Sequence, residues 1–341
     1  MKLGLQMMRA TVNFGLWGSG PEKNIEVAKL AEGLGYHSLW TAEASGTDAV
    51  APLAWVAAHT ETIAIGTAIM QMTARTPTAT AMTAATLDLL SKGRFLLGLG
   101  VSGPAVVEGW HATAYGRPLA RTREYVRIVR DVWARQPLDV HGRYYDLPYR
   151  GEDGTGLAEP IHLMFRPRRR SIPIYLAAMG PRNVALAYEI ADGVMPAFYS
   201  PYREDAFFAF ADERPHRRIE LAPFVPVAMG RDVDVCRARL KPGLAFWLGG
   251  MGAKSLNFYN NFVSRLGFAD AAREVQKHYT SGNRARAAAA VPDALVDEVA
   301  LFGPRERIAD QLAAWKESSV TTMILNGADV DAIVAIGELA L

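Results

Sequence analysis

Four stretches of this 341-residue chain carry residue types that could do chemistry. Glu43 ends the apolar run "HSLWTAE" (37–43), where a carboxylate can exchange a proton or hold a ligand. The same acid could instead cap a helix or pair with a cation. His111, beside Trp110, can donate to a substrate or ring, or serve the fold. "MGPRN" (179–183) puts Gly180, Pro181 and Arg182 at a helix start. Free backbone N–H groups and the helix dipole suit a phosphate there, although an ordinary capped helix reads the same way. Finally, "GLGVSG" (98–103) fits G-x-G-x-x-G, the dinucleotide fingerprint. No His/Asp/Glu spacing resembles a metal site, and no serine elbow or P-loop is present.

The elements that must position these residues alternate between strand and helix. Strands are expected at 2–7, 37–43, 62–70, 94–101, 172–179, 192–198, 221–229 and 320–327. Pro21 opens a helix that Gly35 stops, a second helix lies around 48–59, and Thr76-Pro77 opens a long one to Leu90. "LARTREYVRIVRDVWARQ" (119–136) is amphipathic, with Leu119, Val126, Val129 and Trp133 on one face. Near-continuous apolar strands imply burial on both faces, as in parallel sheets. Eight such units imply a (β/α)8 TIM barrel, read as one domain over 1–341. Two segments break the rhythm. A Gly-, Pro- and Tyr-rich insertion with short strands follows strand four (137–171), and a nearly all-helical one follows strand seven (233–301).

This order decides the meaning of "GLGVSG". A Rossmann fingerprint belongs on the first strand of its unit, with an acid ending the next strand. Here it follows the fourth strand, and the acids downstream, Glu108 and Glu124, lie in a loop and on a helix face. Gly98 and Gly100 are then barrel packing positions without room for a side chain. Ser102 and Gly103 form a rim where a flat ring can approach bare backbone. A barrel builds its active site from the loops after its strands. The site should therefore draw on Met7 to Trp17, Glu43, Ala68 to Arg75, Val101 to His111, Ala178 to Asn183 and Phe198 to Ser200.

Composition narrows the class. Half the residues are apolar and the net charge is +2, which gives no case for a nucleic-acid partner. The run "RPRRR", with Arg166, Arg168, Arg169 and Arg170, is a solvated loop or meets an anionic tail. One cysteine, Cys236, excludes a disulfide within the chain. No apolar run approaches the roughly 20 residues of a membrane span. The N-terminus enters a strand pattern without a cleavage site, so the expected location is cytoplasmic.

Four stretches together resemble one family: "ARTPTATAMTAATLDLLSKGRFLLGLGVSGP" (74–104), "EGWHATAYGRPLARTREYVRIVR" (108–130), "IPIYLAAMGPRNVALAYEIADG" (172–193) and "VPDALVDEVALFGPRERIADQLAAW" (291–315). They are similar to the luciferase-like monooxygenase superfamily. Within it they resemble the actinobacterial branch that uses the deazaflavin coenzyme F420, with FMN as the alternative. The resemblance implies a non-prolyl cis peptide after strand three, placed here between Ala68 and Ile69, forming a bulge behind the ring. It implies that Glu43 contacts the cofactor and that Ser102 and Gly103 line the ring. Ala178, Met179, Gly180 and the helix from Pro181 would hold the phosphate. Arg166 to Arg170 and Arg182 would suit the cofactor's oligoglutamate tail.

One departure matters. The deazaflavin-dependent sugar and alcohol dehydrogenases of this family carry a histidine after that acid, and here the next residue is Ala44. The expectation is therefore hydride transfer to an activated C=C or C=N bond. The proton would come from water, Glu108 or His111. A monooxygenase using FMNH2 and a non-catalytic flavin-binding barrel are the competing readings. Substrate determinants are expected in 137–171 and among Phe246, Trp247, Met251, Phe258 and Tyr259, a cluster that could equally serve helix packing or a dimer surface. The family resemblance also implies a homodimer acting on a small molecule.

Overall fold

The computed structural model describes residues 1–7, 21–210, 217–253 and 255–341. Eight barrel strands follow in order: β1 (Lys2–Gln6), β2 (Ser38–Thr41), β3 (Ala64–Thr67, resuming as Met70–Gln71), β4 (Phe95–Gly100), β5 (Ile174–Leu176), β6 (Gly193–Val194), β7 (Glu220–Leu221 and Phe224–Met229) and β8 (Thr322–Asn326). Each pairs in parallel with its neighbours, and β8 returns to β1 with Lys2 opposite Thr322 and Leu5 opposite Leu325. Strand β7 closes the ring with its two halves. The first pairs with β6 and the second with β8, and Ala222 N–H still reaches the Val194 carbonyl at 2.8 Å.

Fourteen helices are described. They are α1 (Pro21–Gly33), α2 (Val50–His59), α3 (Pro77–Leu90), α4 (Pro104–Gly109), α5 (Pro118–Trp133), α6 (Pro181–Ile190), α7 (Glu204–Phe208), α8 (Val233–Gly250), α9 (Phe258–Val263), α10 (Ala269–Thr280), α11 (Arg284–Ala289), α12 (Asp293–Val299), α13 (Arg305–Glu317) and α14 (Val330–Ala340). A π-helical turn, Ser264–Phe268, joins α9 to α10. The barrel and its two insertions stand where the periodicity put them. The first insertion holds one antiparallel hairpin, Val140–His141 with Asp146–Leu147, and the second holds α8 to α12.

Three local expectations change. The strand expected at 62–70 is broken after Thr67 by a cis peptide between Ala68 and Ile69, the position the resemblance implied. Residues 104–109, expected as loop, form α4 because Pro104 sits at its first turn with a preset φ. Leu301–Gly303 forms a short strand beside Val227–Met229, in a segment whose length gave no strand signal. The expected loop after β1 lies mostly outside the described residues.

The barrel interior is filled by a few large side chains facing glycines. Trp40, Ala68, Leu96, Tyr175, Met195, Ala222 and Ile324 pack together, apart from the larger core between barrel and helices. Trp40 and Tyr175 meet edge to face at 5.4 Å. A Cβ on Gly66 would lie 2.3 Å from the Trp40 ring, and one on Gly193 2.2 Å from the Tyr175 ring. This apolar layer floors the mouth at the C-terminal ends of the strands, where barrels of this kind place their chemistry.

Candidate active site at the barrel mouth

The mouth is organised around the bulge after β3. Ala68 N–H donates to the Thr41 carbonyl at 2.5 Å, and Glu43 N–H to the Ile69 carbonyl at 3.2 Å. The Thr67 hydroxyl accepts from Gly98 N–H at 2.9 Å and donates to Gly98 O at 2.7 Å. A Cβ on Gly98 would lie 1.9 Å from the Thr67 carbonyl, and one on Gly100 2.7 Å from the Ile69 side chain. The first two glycines of "GLGVSG" thus admit the bulged strand. The rest of the motif behaves differently. Ser102 holds a left-handed φ of 59°, uncommon for a side-chain-bearing residue, and a Cβ on Gly103 would meet nothing within 4 Å.

Glu43 is committed to this scaffold. Its side chain is only 7% exposed. One oxygen accepts from Gln71 N–H at 2.8 Å and Arg75 Nη1 at 2.6 Å, and the other from Ala49 N–H at 3.1 Å, just before α2. The acid therefore ties β2, the bulge and α2 together through an ion pair and two backbone bonds.

Gln71 lies within the expected segment 68–75, where the sequence does not single it out. Its Nε2 donates to the carbonyls of Glu43 (3.1 Å) and Ala44 (3.2 Å). Both amide hydrogens are spent, so Oε1 must accept from His111 Nε2, 2.7 Å away. That contact assigns the His111 proton to Nε2 and leaves Nδ1 of the neutral ring as an acceptor. Glu43 and His111 thus join through Gln71, although 68 residues separate them in the chain. Glu108 is not brought to this group. It is exposed on α4 and accepts from Tyr115 N–H at 3.1 Å.

Further along the same rim, after β5, Gly180 is the N-cap of α6 without a side-chain cap, and Pro181 follows. A Cβ on Gly180 would meet nothing within 4 Å. Ala178 is buried, Met179 half-buried and Arg182 exposed. The Met179 carbonyl accepts from Arg265 at 2.6 Å, in a contact spanning 86 residues. Arg265 stacks 5.2 Å over Phe262 and pairs with no carboxylate among the described residues. Burial lowers its pKa from the usual guanidinium range. The α6 N-terminus is therefore open to an anion from above and flanked by a cation that the sequence did not flag.

Two expectations need adjustment. The "RPRRR" run does not reach the mouth. Arg169 pairs with the buried Asp88 at 2.5 Å and donates to the Phe95 carbonyl, at the N-terminal start of β4. Arg169 serves the opposite face because a buried carboxylate there needs a partner, and Arg168 lies beside Gly93 at the same end. The aromatic cluster of the second insertion is largely packing. Tyr259 meets Trp247 at 4.9 Å, and Trp247 meets Phe246 at 5.8 Å, holding α8 against its neighbours. It touches the mouth through Phe198, which stands 6.2 Å from Tyr259 at the exit of β6 with a left-handed φ of 56°. Such a backbone on an aromatic residue is rare. Among the described residues, no ring contact joins Phe258 to that group.

The residues present fit a flat cofactor with an anionic tail. The bulge at Ala68–Ile69, the open face at Gly103 and the uncapped α6 N-terminus lie on adjoining strand ends, with no side chain filling Gly103 or Gly180. Among the described residues, no group of three His, Cys, Asp or Glu could hold a metal.

Comparisons with known proteins agree with this geometry. Residues 6–322 match the luciferase-like monooxygenase family. A Mycobacterium tuberculosis protein assigned to the coenzyme F420-dependent oxidoreductases is 43% identical over 343 residues, covering 98% of this chain and 97% of that one. The coenzyme F420-dependent tetrahydromethanopterin reductase of Methanopyrus kandleri superposes with a TM-score of 0.78 at 20% identity, covering 99% and 97% of the two chains. The oxygenating component of 3,6-diketocamphane monooxygenase from Pseudomonas putida, in complex with FMN, gives 0.67 at 17% identity, covering 99% and 97%.

Proposed function

The chain belongs to the luciferase-like monooxygenase family, and on that premise we propose a coenzyme F420-dependent oxidoreductase that reduces an activated C=C or C=N bond of a small organic substrate. The observation carrying this reading is the Ala68–Ile69 bulge facing bare backbone at Gly103 and an uncapped helix at Gly180. Bound there, the deazaflavin would supply a hydride donor at its C5. Ala68 and Ile69 would back the ring, and Ser102 and Gly103 would line its edge. Ala178, Met179, Gly180 and the α6 N–H groups from Pro181 onward would hold the phosphate. Arg182 and Arg265 would meet the anionic tail. Glu43 orients the bulge through Gln71 and Arg75 rather than exchanging protons. His111, whose Nδ1 has no hydrogen-bond partner among the described residues, is the better proton-handling group, and exposed Glu108 the lesser one. Ala44 leaves no base beside Glu43 for alcohol oxidation.

The reading is of one catalytic domain working in the cytoplasm. No described helix is long and apolar enough to cross a membrane. Trp55 on α2 and Met82, Leu89 and Leu90 on α3 are at least half exposed, and we propose that a second copy covers them in a homodimer. The likeness to the FMN-bound monooxygenase supports one alternative, an FMNH2-dependent oxygenase on this barrel. Titrating the cofactor-free protein with F420 and with FMN separates the two. Tight FMN binding with none of F420 sinks the deazaflavin reading, and binding without turnover of any enone or imine favours a non-catalytic barrel.

A further inference from the structure

Two carboxamides at the mouth, besides the hydroxyls of Thr73 and Tyr115, each leave a buried oxygen without a partner among the described residues. In β1, Leu3 and Leu5 face the helices, while a Cβ on Gly4 would meet Trp40 Nε1 and Ile324 Cγ1 inside the barrel. Strand alternation therefore turns Gln6 inward. In β8, Ile324 belongs to the interior layer and Leu325 to the outer core, so Asn326 also turns inward. Leu5 stands opposite Leu325, which makes Gln6 and Asn326 the next neighbours, about 5 Å apart across adjoining strands. Both sit one step above the apolar floor. Gln6 Oε1 and Asn326 Oδ1 are buried without a hydrogen-bond partner among the described residues. Below them Trp40 Nε1 is already satisfied by Ser38 Oγ at 2.8 Å, so the floor offers them nothing.

Keeping an unpaired carboxamide under cover costs stability, and two side by side mark a place where a ligand completes the bonding. A carboxamide that turns about its last bond presents either its oxygen or its N–H groups. Two of them can therefore aim N–H donors at one oxygen. At the bulge, two strands along the rim, Gln71 has spent its amide hydrogens and His111 its Nε2 proton.

We propose that Gln6 and Asn326 together bind the carbonyl oxygen of the substrate and hold the negative charge that develops there during reduction. This rests on the reductase reading above. When hydride adds to the β-carbon of an enone, the C=C electron pair moves to form an enolate, and its oxygen takes the charge. A proton at the α-carbon then restores the carbonyl. The reduced deazaflavin is the two-electron donor. Preorganised donors at such an oxygen favour the transition state over the ground state.

The test uses the near-isosteric variants Gln6→Met and Asn326→Leu, singly and combined, with 2-cyclohexen-1-one as substrate and cyclohexanone as the non-reducible probe. In the wild type, cyclohexanone should shift the side-chain amide NMR signals of Gln6 and Asn326. In the double variant, kcat for the enone should fall roughly 100-fold, with F420 affinity unchanged and Tm unchanged or higher. Full turnover in the double variant, or a lowered Tm without loss of turnover, overturns the proposal. Absence of amide shifts in a wild type that does reduce the enone also overturns it. Amide shifts in a wild type that reduces no enone uphold the carbonyl site and sink the reaction class instead.

Discussion

At the N-terminal end of the barrel most buried charge finds a partner, with Asp88 Oδ2 and His37 Nδ1 as exceptions among the described residues; at the mouth, more polar groups are left waiting. Around the closed end, Arg94 donates to the carbonyls of Ala57, Thr60, Ile63 and Ser91. Glu220 accepts from Lys2, Thr321 and Thr322, and Glu32 from three successive N–H groups, Glu61 to Ile63. Arg169 covers Asp88. At the other end, among the described residues, stand an uncapped helix, two orphaned carboxamides, an arginine without a carboxylate and left-handed φ values at Ser102 and Phe198. The dense bonding at the closed end maintains the fold, which lets strain and unpaired groups persist at the mouth, although Lys92 (φ 57°) and Asp88 Oδ2 show that the closed end is not free of them.

This contrast can be broken at its strongest point first. Arg169→Ala leaves the carboxylate of Asp88 buried and uncompensated, and should cost about 3–5 kcal/mol in urea unfolding. A cost under 1 kcal/mol would mean that the closed end does not depend on its ion pairs. Gly98→Val drives a side chain into the Thr67 carbonyl and should destabilise by roughly 3 kcal/mol, while also weakening cofactor binding. Gly103→Val, two turns of the same motif away in role, should leave Tm unchanged and weaken F420 binding about tenfold, near 1.4 kcal/mol. Unchanged binding would remove Gly103 from the ring site.

The smallest effect concerns acid. Burial pushes the Glu32 carboxyl up, but the N–H groups of Ile63, Thr62 and Glu61 outweigh it and hold the pKa below the usual value. For Glu220, burial is likewise outweighed by bonds from Thr321, Lys2 and Thr322. A depressed folded pKa contributes stability above the unfolded value near 4.5, and that stability is lost as pH falls through the folded value. Unfolding midpoints should thus drop below about pH 4.5, and Glu32→Gln should flatten the decline. An equally steep decline in the variant would show that Glu32 does not contribute to it.

The sequence disclosed what is local. Apolar runs marked the eight strands, Pro-led starts marked helices, and the family resemblance placed the bulge at Ala68–Ile69. What stayed hidden depends on barrel closure. Gln71 gains meaning only when the bulge brings Glu43 and His111 to it, and Arg265 only when the second insertion folds over α6. The arginines at 166–170 looked suited to an anionic tail because charge in a sequence carries no sign of which face it occupies. Gln6 and Asn326 lie at opposite ends of the chain, and only the β1–β8 register makes them neighbours.

The interior layer has one more consequence. Its bulk is concentrated in two rings, Trp40 and Tyr175, each lodged against a glycine. The depth of the mouth is therefore set by two side chains rather than by the barrel's diameter. Trimming Trp40 would lower the floor without moving a strand, which makes cavity depth adjustable from one position while the rim stays as it is.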